Sequence, residues 1–115
     1  MPRKSKYRNK KTKIDGYPGI VFDSRKEARH FLRLKEREKR GEINSLKLQP
    51  KFKLTVNDVH VCYYIADFSY YTESDEDNLL IVEDVKSPIT SRNPVFRLKK
   101  KLMKAVWNVE VIEVI

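Results

Sequence analysis

The sequence has little cysteine and little glycine: one cysteine and three glycines occur in 115 residues. A lone thiol, Cys62, cannot form an intramolecular disulfide or a thiolate metal site, which excludes disulfide-stapled secreted domains and zinc fingers. Nowhere do about 18 consecutive apolar residues occur, and no apolar stretch of signal-peptide length follows the basic start. These absences predict a cytoplasmic protein that does not associate with membranes.

Acidic residues are missing from the start of the chain, where the first acid is Asp15. Seven positive charges precede it, in a chain whose formal net charge is +9: Arg3, Lys4, Lys6, Arg8, Lys10, Lys11 and Lys13. Residues 1–13 have too little apolar content to pack, so we expect a flexible basic arm that binds nucleic acid by releasing counterions. A solubilising tail is the alternative. The remainder, 14–115, has the length of a single domain.

Apolar periodicity predicts the element order α-β-β-β-α-β. The predicted elements are a helix over 24–40, strands over 46–56, 59–71 and 79–86, a helix over 94–107, and a terminal strand over 109–115. Asn57 and Asp58 are predicted to form the turn of a hairpin between the first two strands, and the second strand is predicted to be central. The predicted buried face of the second helix comprises Val95, Leu98, Leu102, Ala105 and Val106. We therefore expect an α/β fold of the mixed α+β kind, with a mixed sheet flanked by helices.

Two acids and a lysine interrupt the apolar strands. Asp67 lies inside the second predicted strand, where an isolated carboxylate is costly to bury. On the third strand, alternation puts Asp84 and Lys86 on one face, about 6–7 Å apart along the strand, and Glu83 on the other. If Asp67 and Asp84 face each other across paired strands, their oxygens can hold one Mg²⁺ ion together with water and phosphate oxygens.

Lys86 would lie beside the attacking water in such a site. There it can orient or help to deprotonate the nucleophile and offset charge on the phosphate, which is the chemistry of metal-assisted phosphodiester hydrolysis. The alternative is a structural network in which Asp67 and Asp84 pair with Lys86 or with arginines of the helix.

Three further residues are candidates for the same site. Glu27 can face the sheet from the first turn of the helix, or it can simply complete a capping box with Ser24. Gln49 and Lys51 lie on the lysine-bearing face of the first predicted strand and are candidate nucleic-acid contacts. Gln49 can bond a metal-bound water or a phosphate, or remain a solvated side chain.

Histidines and tyrosines give weaker indications. His30 and His60 lack a metal-ligand spacing, which favours structural roles. Four tyrosines of the second predicted strand can stack on bases, although aromatic side chains in a central strand usually belong to the core: Tyr63, Tyr64, Tyr70 and Tyr71.

These residues resemble a known pattern. The order α-β-β-β-α-β, with Glu27 on the first helix, Asp67 on the second strand, and Asp84 and Lys86 on the third, resembles the PD-(D/E)XK nuclease superfamily, which includes archaeal-type Holliday junction resolvases. The segments FDSRKEA, LQPKF, ADFSYY and VEDVKS are similar to a phage family of short basic proteins of formerly unknown function, related to those resolvases. Ala66 stands where the name of the motif has proline.

The resemblance implies a restriction-endonuclease-like core in which Asp67 and Asp84 bind the metal, Lys86 is the catalytic lysine and Glu27 is an accessory acid. It implies a Mg²⁺-dependent endodeoxyribonuclease, with Mn²⁺ able to substitute, that cuts branched DNA such as a four-way junction. The expected setting is phage DNA recombination, repair or replication inside a bacterial host cell.

A resolvase must cut two strands symmetrically, so we expect a homodimer with an isologous interface. Trp107 and the terminal strand are candidates for that interface. The alternative functions are a non-catalytic DNA-binding module on a nuclease-like fold and a nickase that acts on ordinary duplex.

Overall fold

Short strands and three helices alternate along the computed structural model, which describes residues 11–73 and 78–115. The strands are β1 (Thr12–Lys13), β2 (Val21–Phe22), β3 (Ile43–Leu48), β4 (Lys51–Val56), β5 (Val59–Ile65), β6 (Phe68–Glu73), β7 (Asn78–Val85) and β8 (Ile112–Val114). The helices are α1 (Arg25–Lys39), α2 (Pro88–Ser91) and α3 (Pro94–Trp107). Within the described ranges, no helix is both long and apolar enough to cross a membrane.

The central layer is a four-stranded sheet in the order β3-β6-β7-β8. Strand β6 pairs antiparallel with both β3 and β7, whereas β8 pairs parallel with β7. Helix α1 contacts β3 from one side of the sheet, and α3 contacts the two-stranded ribbon β4–β5 on the other side. The expected mixed sheet flanked by helices is therefore confirmed.

A bend divides the predicted hairpin in two. The prediction that each of its arms is one continuous strand is wrong, because the chain leaves the sheet between β3 and β4 and returns between β5 and β6. At the bend, Gln49 N–H donates to the Asp67 carbonyl at 2.9 Å and Ala66 N–H donates to the Pro50 carbonyl at 3.1 Å. Pro50 has no N–H to donate, and Gln49 adopts a φ of 49°, outside the β region. Asp67 consequently lies just before the first residue of β6 and not inside a strand.

Beyond the bend, β4 and β5 are connected by the predicted two-residue turn at Asn57 and Asp58. Val56, before the turn, pairs with Val59, after it. Both turn residues have positive φ, 50° and 62°, as in the type I′ turns that suit twisted hairpins. The prediction that this part of the second strand is central is wrong. One of its faces is exposed and consists of Val59, Val61, Tyr63 and Ile65.

Two apolar cores lie on opposite faces of the sheet. The first lies against α1 and includes Phe31 and Phe68, both fully buried. The second lies between the sheet, the ribbon and α3, and includes Leu54, Val82 and Met103. The sheet is therefore covered on both faces, as a mixed sheet with helical connections requires.

Helix α3 turns to the core a face that matches the predicted one only at Leu102, which packs against the second core. Phe96 and Met103 are buried, whereas Val95 and Leu98 are exposed. Apolar residues lie on more than one side of this helix, so its periodicity alone does not determine which side meets the ribbon. The short helix α2 also replaces part of a predicted loop, and it begins with a complete capping box at Ser87.

The N-terminal boundary of the folded region lies earlier than predicted. Thr12 and Lys13, assigned to the flexible arm, form β1 and pair with β2, and Lys11 forms an ion pair of 3.3 Å with Asp23. Thr12 and Lys13 pair with Phe22 and Val21, and the composition of the arm alone does not predict this pairing. Residues 1–10 and 74–77 lie outside the described residues, and 74–77 form most of the acidic stretch 73–78, which the sequence predicts to be a solvated hairpin tip.

Candidate active site

Asp67 and Asp84 meet where the ladder between β6 and β7 ends. Phe68 pairs with Glu83 in the antiparallel register, so the next position outward sets Asp67 opposite Asp84. Burial, followed by the negative charge of Asp84, raises the pKa of the Asp67 carboxyl group. Asp67 Oδ2 also accepts the N–H of Val85 at 2.7 Å, which fixes the carboxyl group against β7.

Lys86 lies two residues after Asp84, just beyond the end of β7. Its Nζ is 4.0 Å from Asp84 Oδ2 and 4.1 Å from the centroid of the Phe96 ring, contributed by α3. The backbone of Lys86 is held on both sides: its N–H donates to the Val114 carbonyl at 2.8 Å, and its carbonyl accepts from Lys26 Nζ at 2.9 Å. These contacts hold the ammonium group beside the acids.

Tyr64 gives Asp84 a further partner from the ribbon. Its hydroxyl donates to Asp84 Oδ2, the same oxygen that Lys86 approaches. Burial, followed by the negative charge of Asp84, raises the pKa of the Tyr64 hydroxyl above its ordinary value. The hydroxyl therefore stays protonated and acts as a hydrogen-bond donor that orients the Asp84 carboxylate.

Glu27 reaches the same site from the first turn of α1. Its backbone N–H donates to Ser24 Oγ at 3.1 Å, which caps the helix, while burial and the charges of Asp23 and Asp84 raise the pKa of its carboxyl group to about 7. Burial and the neighbouring carboxyl group of Asp84 raise the pKa of Asp67 to about 8. Both shifts have the sign expected of like charges crowded in a poorly solvated site.

The site opens on two sides. A cavity of about 200 Å³ is lined by Glu27, Gln49 and Asp67, together with residues around β2. A separate cleft of about 380 Å³ is lined by Asp84 and Lys86, together with residues from β5 to α3. The acids thus lie between two openings. Gln49 reaches the site because the chain bends at this residue, and not because of strand alternation.

The predicted nucleic-acid contacts are distributed unevenly. Lys51 is close to the cleft, because its Nζ lies 4.1 Å from the centroid of Tyr63, which lines it. Lys13 is exposed on β1, and Lys11 pairs with Asp23. The remaining predicted contacts lie outside the described residues: Arg3, Lys4, Lys6, Arg8 and Lys10.

Residues 4–113 match a family model described as "Protein of unknown function (DUF1064)". The chain belongs to this family. No curated protein and no solved structure matches the chain. The family description assigns no activity, so the chemistry of the DUF1064 chain has to be argued from its own side chains.

Glu83 of the DUF1064 chain points to the opposite face of the sheet, as strand alternation predicts. Its Oε1 lies 2.6 Å from His30 Nε2, and its Oε2 accepts the Tyr70 hydroxyl at 2.7 Å. Burial alone would raise the pKa of Glu83, but the hydrogen bonds from His30 and Tyr70, with the charges of His30 and Arg37, hold it below its ordinary value. Glu83 therefore serves the interface with α1, and Asp84 is the acid of β7 that faces Asp67.

The donors available for a metal ion at this site are carboxylate oxygens. Within the described part of the chain, no group of three or more His, Cys, Asp or Glu side chains is arranged to hold a metal ion. Asp67 and Asp84 still provide two adjacent carboxyl groups, and Mg²⁺ commonly binds through one or two carboxylates while keeping several waters. The donor set fits an oxygen-preferring divalent cation whose remaining ligands are water and substrate oxygens.

Three residues of the site carried no signal of their own in the sequence. Tyr64 belongs to an aromatic strand pattern, Phe96 is one of several apolar residues on different sides of a helix, and Lys26 belongs to a run of charged helix formers. A buried carboxylate such as Asp84 requires a donor. That requirement is the one sequence-level indication that a nearby tyrosine would belong to the site.

Proposed function

We propose that the protein is a Mg²⁺-dependent endodeoxyribonuclease, which hydrolyses phosphodiester bonds of DNA. The arrangement that carries the proposal is the pair Asp67 and Asp84 at one end of the sheet, with Lys86 Nζ 4.0 Å from Asp84. A structural ion pair requires one acid and one base, and a second crowded acid opposes folding. The formal net charge of +9 favours a polyanionic substrate.

Asp67 and Asp84 would hold the cation, and Mn²⁺ would replace Mg²⁺. When bound, the cation polarises a phosphate oxygen and lowers the pKa of a coordinated water. Burial and the repulsion between the two carboxyl groups raise the pKa of Asp67, and the repulsion favours the binding of a positive ion between them.

Lys86 supplies a fixed positive charge to the phosphate that is cut. Its contact with the Phe96 ring and the anchoring of its backbone to Lys26 and Val114 restrict its motion. A cation held in advance can offset charge that develops on phosphate oxygens without reorganising during the reaction. Glu27, whose pKa is about 7, can accept or release a proton near neutral pH.

Branched DNA is the proposed substrate, and a homodimer is the proposed acting form. The resemblance to junction resolvases supports both, because symmetric cutting requires two related sites. Trp107, Ile112 and Ile115 are exposed apolar residues of the regions expected to contribute to the interface.

A non-catalytic DNA-binding module is the second candidate. The observation that favours it is that Asp67 and Asp84 already have protein partners, the Val85 N–H and the Tyr64 hydroxyl. These contacts satisfy part of the hydrogen-bonding capacity of the acids without any ligand.

Cleavage of a labelled four-way junction and of matched linear duplex separates these functions. Wild type is compared with Lys86→Ala and Asp84→Asn, with Mg²⁺, with Mn²⁺ and with chelator. Lys39→Ala, which removes an exposed positive charge near the far end of α1, is the matched control. We expect metal-dependent cutting by wild type and the control, and a loss of about a hundredfold or more in both site variants.

The ratio of junction to duplex cleavage defines the substrate. Equal rates on the junction and on its linear arms would favour the duplex nickase. Binding of both DNAs without cleavage under any metal condition would overturn the nuclease and support the binding module. Cleavage that survives in Asp84→Asn would show that the site has been assigned to the wrong residues.

A further inference from the structure

The cleft beside Asp84 and Lys86 has one apolar wall that is open to solvent. Tyr63 is 41% exposed, Ile65 is 57% exposed and Val95 is 60% exposed, and all three line the cleft. Binding of a ligand that covers such apolar side chains is favourable, because it removes apolar surface from water. Paired bases inside a duplex keep their faces stacked, so a wall of this kind has no partner on uninterrupted DNA.

The rest of the cleft is polar and positively charged. Lys86 and Lys99 supply two cations, and Thr90 and Asn93 lie between them along α2 and the start of α3. Cations and hydrogen-bonding side chains recognise phosphates and sugars. A cleft with an apolar wall on one side and cations on the other has the chemistry of a nucleotide site, and about 380 Å³ is enough space for one nucleotide.

Tyr63 differs from the other tyrosines of the same region. Tyr64 and Tyr70 are 3% exposed and belong to the cores, whereas the bend at Asp67 takes β5 out of the sheet and leaves Tyr63 at the surface. Lys51 Nζ lies over the Tyr63 ring in a cation–π contact, 4.1 Å from the ring centroid. The His60 ring lies 4.6 Å away at an interplanar angle of 54°, so it is not stacked in parallel on Tyr63.

We propose that this cleft binds an unpaired base of DNA, stacked on Tyr63, with the adjoining phosphate between Lys51, Lys86 and Lys99. The proposal rests on the nuclease function and specifies its substrate: DNA that offers an unpaired nucleotide, as a gap, a bulge or a branch with a single-stranded arm does. Stacking of a base on an aromatic ring tolerates any sequence, since every base has a π-face. The site selects by DNA structure and not by base sequence.

Binding without metal tests the proposal independently of cleavage. The probes are a duplex with one bulged 5-iododeoxyuridine and the same duplex fully paired, both in the presence of chelator. Tyr63→Ala is compared with Tyr63→Phe, which keeps the ring. Val61→Ala is the matched control, because Val61 is exposed on the same face of β5 but does not line the cleft.

We expect Tyr63→Ala to weaken binding of the bulged duplex about tenfold, with less than a twofold change on the paired duplex. Tyr63→Phe and Val61→Ala should bind both probes as wild type does. Irradiation of the wild-type complex should crosslink the iodinated base to Tyr63, which peptide mass spectrometry identifies, and unfolding curves establish that each variant is folded.

Three results would overturn the inference. The first is equal weakening of both probes in Tyr63→Ala, which would make Tyr63 a general backbone contact. The second is a crosslink outside the cleft, and the third is no preference of wild type for the bulged probe. Because these experiments contain no metal, the stacking site can be refuted in an active nuclease, and the nuclease can be refuted while the stacking site stands.

Discussion

Adjacent acids of β7 have opposite electrostatic environments. Glu83 receives hydrogen bonds from His30 and Tyr70, and the pKa of Glu83 is held below its ordinary value. Asp84, one residue further along, faces Asp67, whose pKa is raised to about 8 by burial and by that proximity. A single step along a strand therefore separates an acid that is stabilised in its charged form, Glu83, from one that lies against a second acid.

The raised pKa of Asp67 predicts a pH-dependent cost in the metal-free protein. A carboxyl group whose folded pKa is raised contributes stability below its unfolded pKa of 3.8, and this contribution is lost as the pH rises toward about 8. Asp67→Asn should therefore match wild type near pH 4 and exceed it at pH 8 by about 2 kcal/mol in the free energy of unfolding. That value is below the full pKa shift because solvent screens a partly exposed group. Urea unfolding in chelator across this pH range measures the difference.

Glu83→Gln is the internal control, since removing a carboxylate that is stabilised in its charged form should lower the free energy of unfolding. Added Mg²⁺ should raise the melting temperature of wild type but not of Asp67→Asn. A marked loss of stability in Asp67→Asn at pH 8 would instead identify Asp67 as part of a structural network.

The acids of the site are predictable from sequence because they interrupt apolar stretches of the sequence. Asp67 and Asp84 stand out against apolar neighbours, and alternation separates Asp84 from Glu83. The supporting residues are not predictable in this way. Tyr64 and Phe96 reach the site through the packing of the ribbon and α3 on the sheet. In the sequence, their spacing from apolar neighbours is that of ordinary core residues, so it does not distinguish them.

At the scale of elements, the bend in the long hairpin decides where the site forms. Leu46, Leu48, Phe52 and Leu54 keep one period of two through the bend, so the pattern indicates a single strand. Pro50 is the one residue of this stretch that indicates a break, because proline cannot donate a hydrogen bond to a neighbouring strand and is rare inside central strands. The helices were easier to locate, since Ser24 and Pro94 mark where α1 and α3 begin.

The turn between β4 and β5 can be stabilised by a single substitution. Asp58 adopts a φ of 62°, a conformation that glycine adopts without strain and that type I′ turns favour after asparagine. Asp58→Gly should raise the free energy of unfolding by about 0.5–1 kcal/mol, and Asp58→Ala should lower it by a similar amount. Equilibrium urea denaturation of both variants checks the opposite signs. A stabilising alanine would show that the turn does not hold this conformation in solution.

At the scale of the whole molecule, positive charge and fold are separate features. The sequence predicted a basic arm before a single domain, but β1 shows that the folded region already includes Thr12 and Lys13. Composition reveals which residues are charged, whereas strand pairing with Val21 and Phe22 depends on contacts that composition does not contain. Thr12 and Lys13 therefore belong to the folded domain and not to the predicted arm.

Deleting residues 2–10 should weaken DNA binding and reduce its dependence on salt. The segment carries five positive charges, Arg3, Lys4, Lys6, Arg8 and Lys10. Each phosphate contact contributes about 0.9 to the slope of log K against log salt on duplex DNA, so removing five charges should decrease the magnitude of the slope by up to about 4.5. Replacing the same five residues with glutamine keeps the length of the arm and should reproduce the deletion. Titrations of labelled DNA at several salt concentrations measure the slope, and an unchanged slope would mean that the arm contacts no phosphates and serves as a solubilising tail.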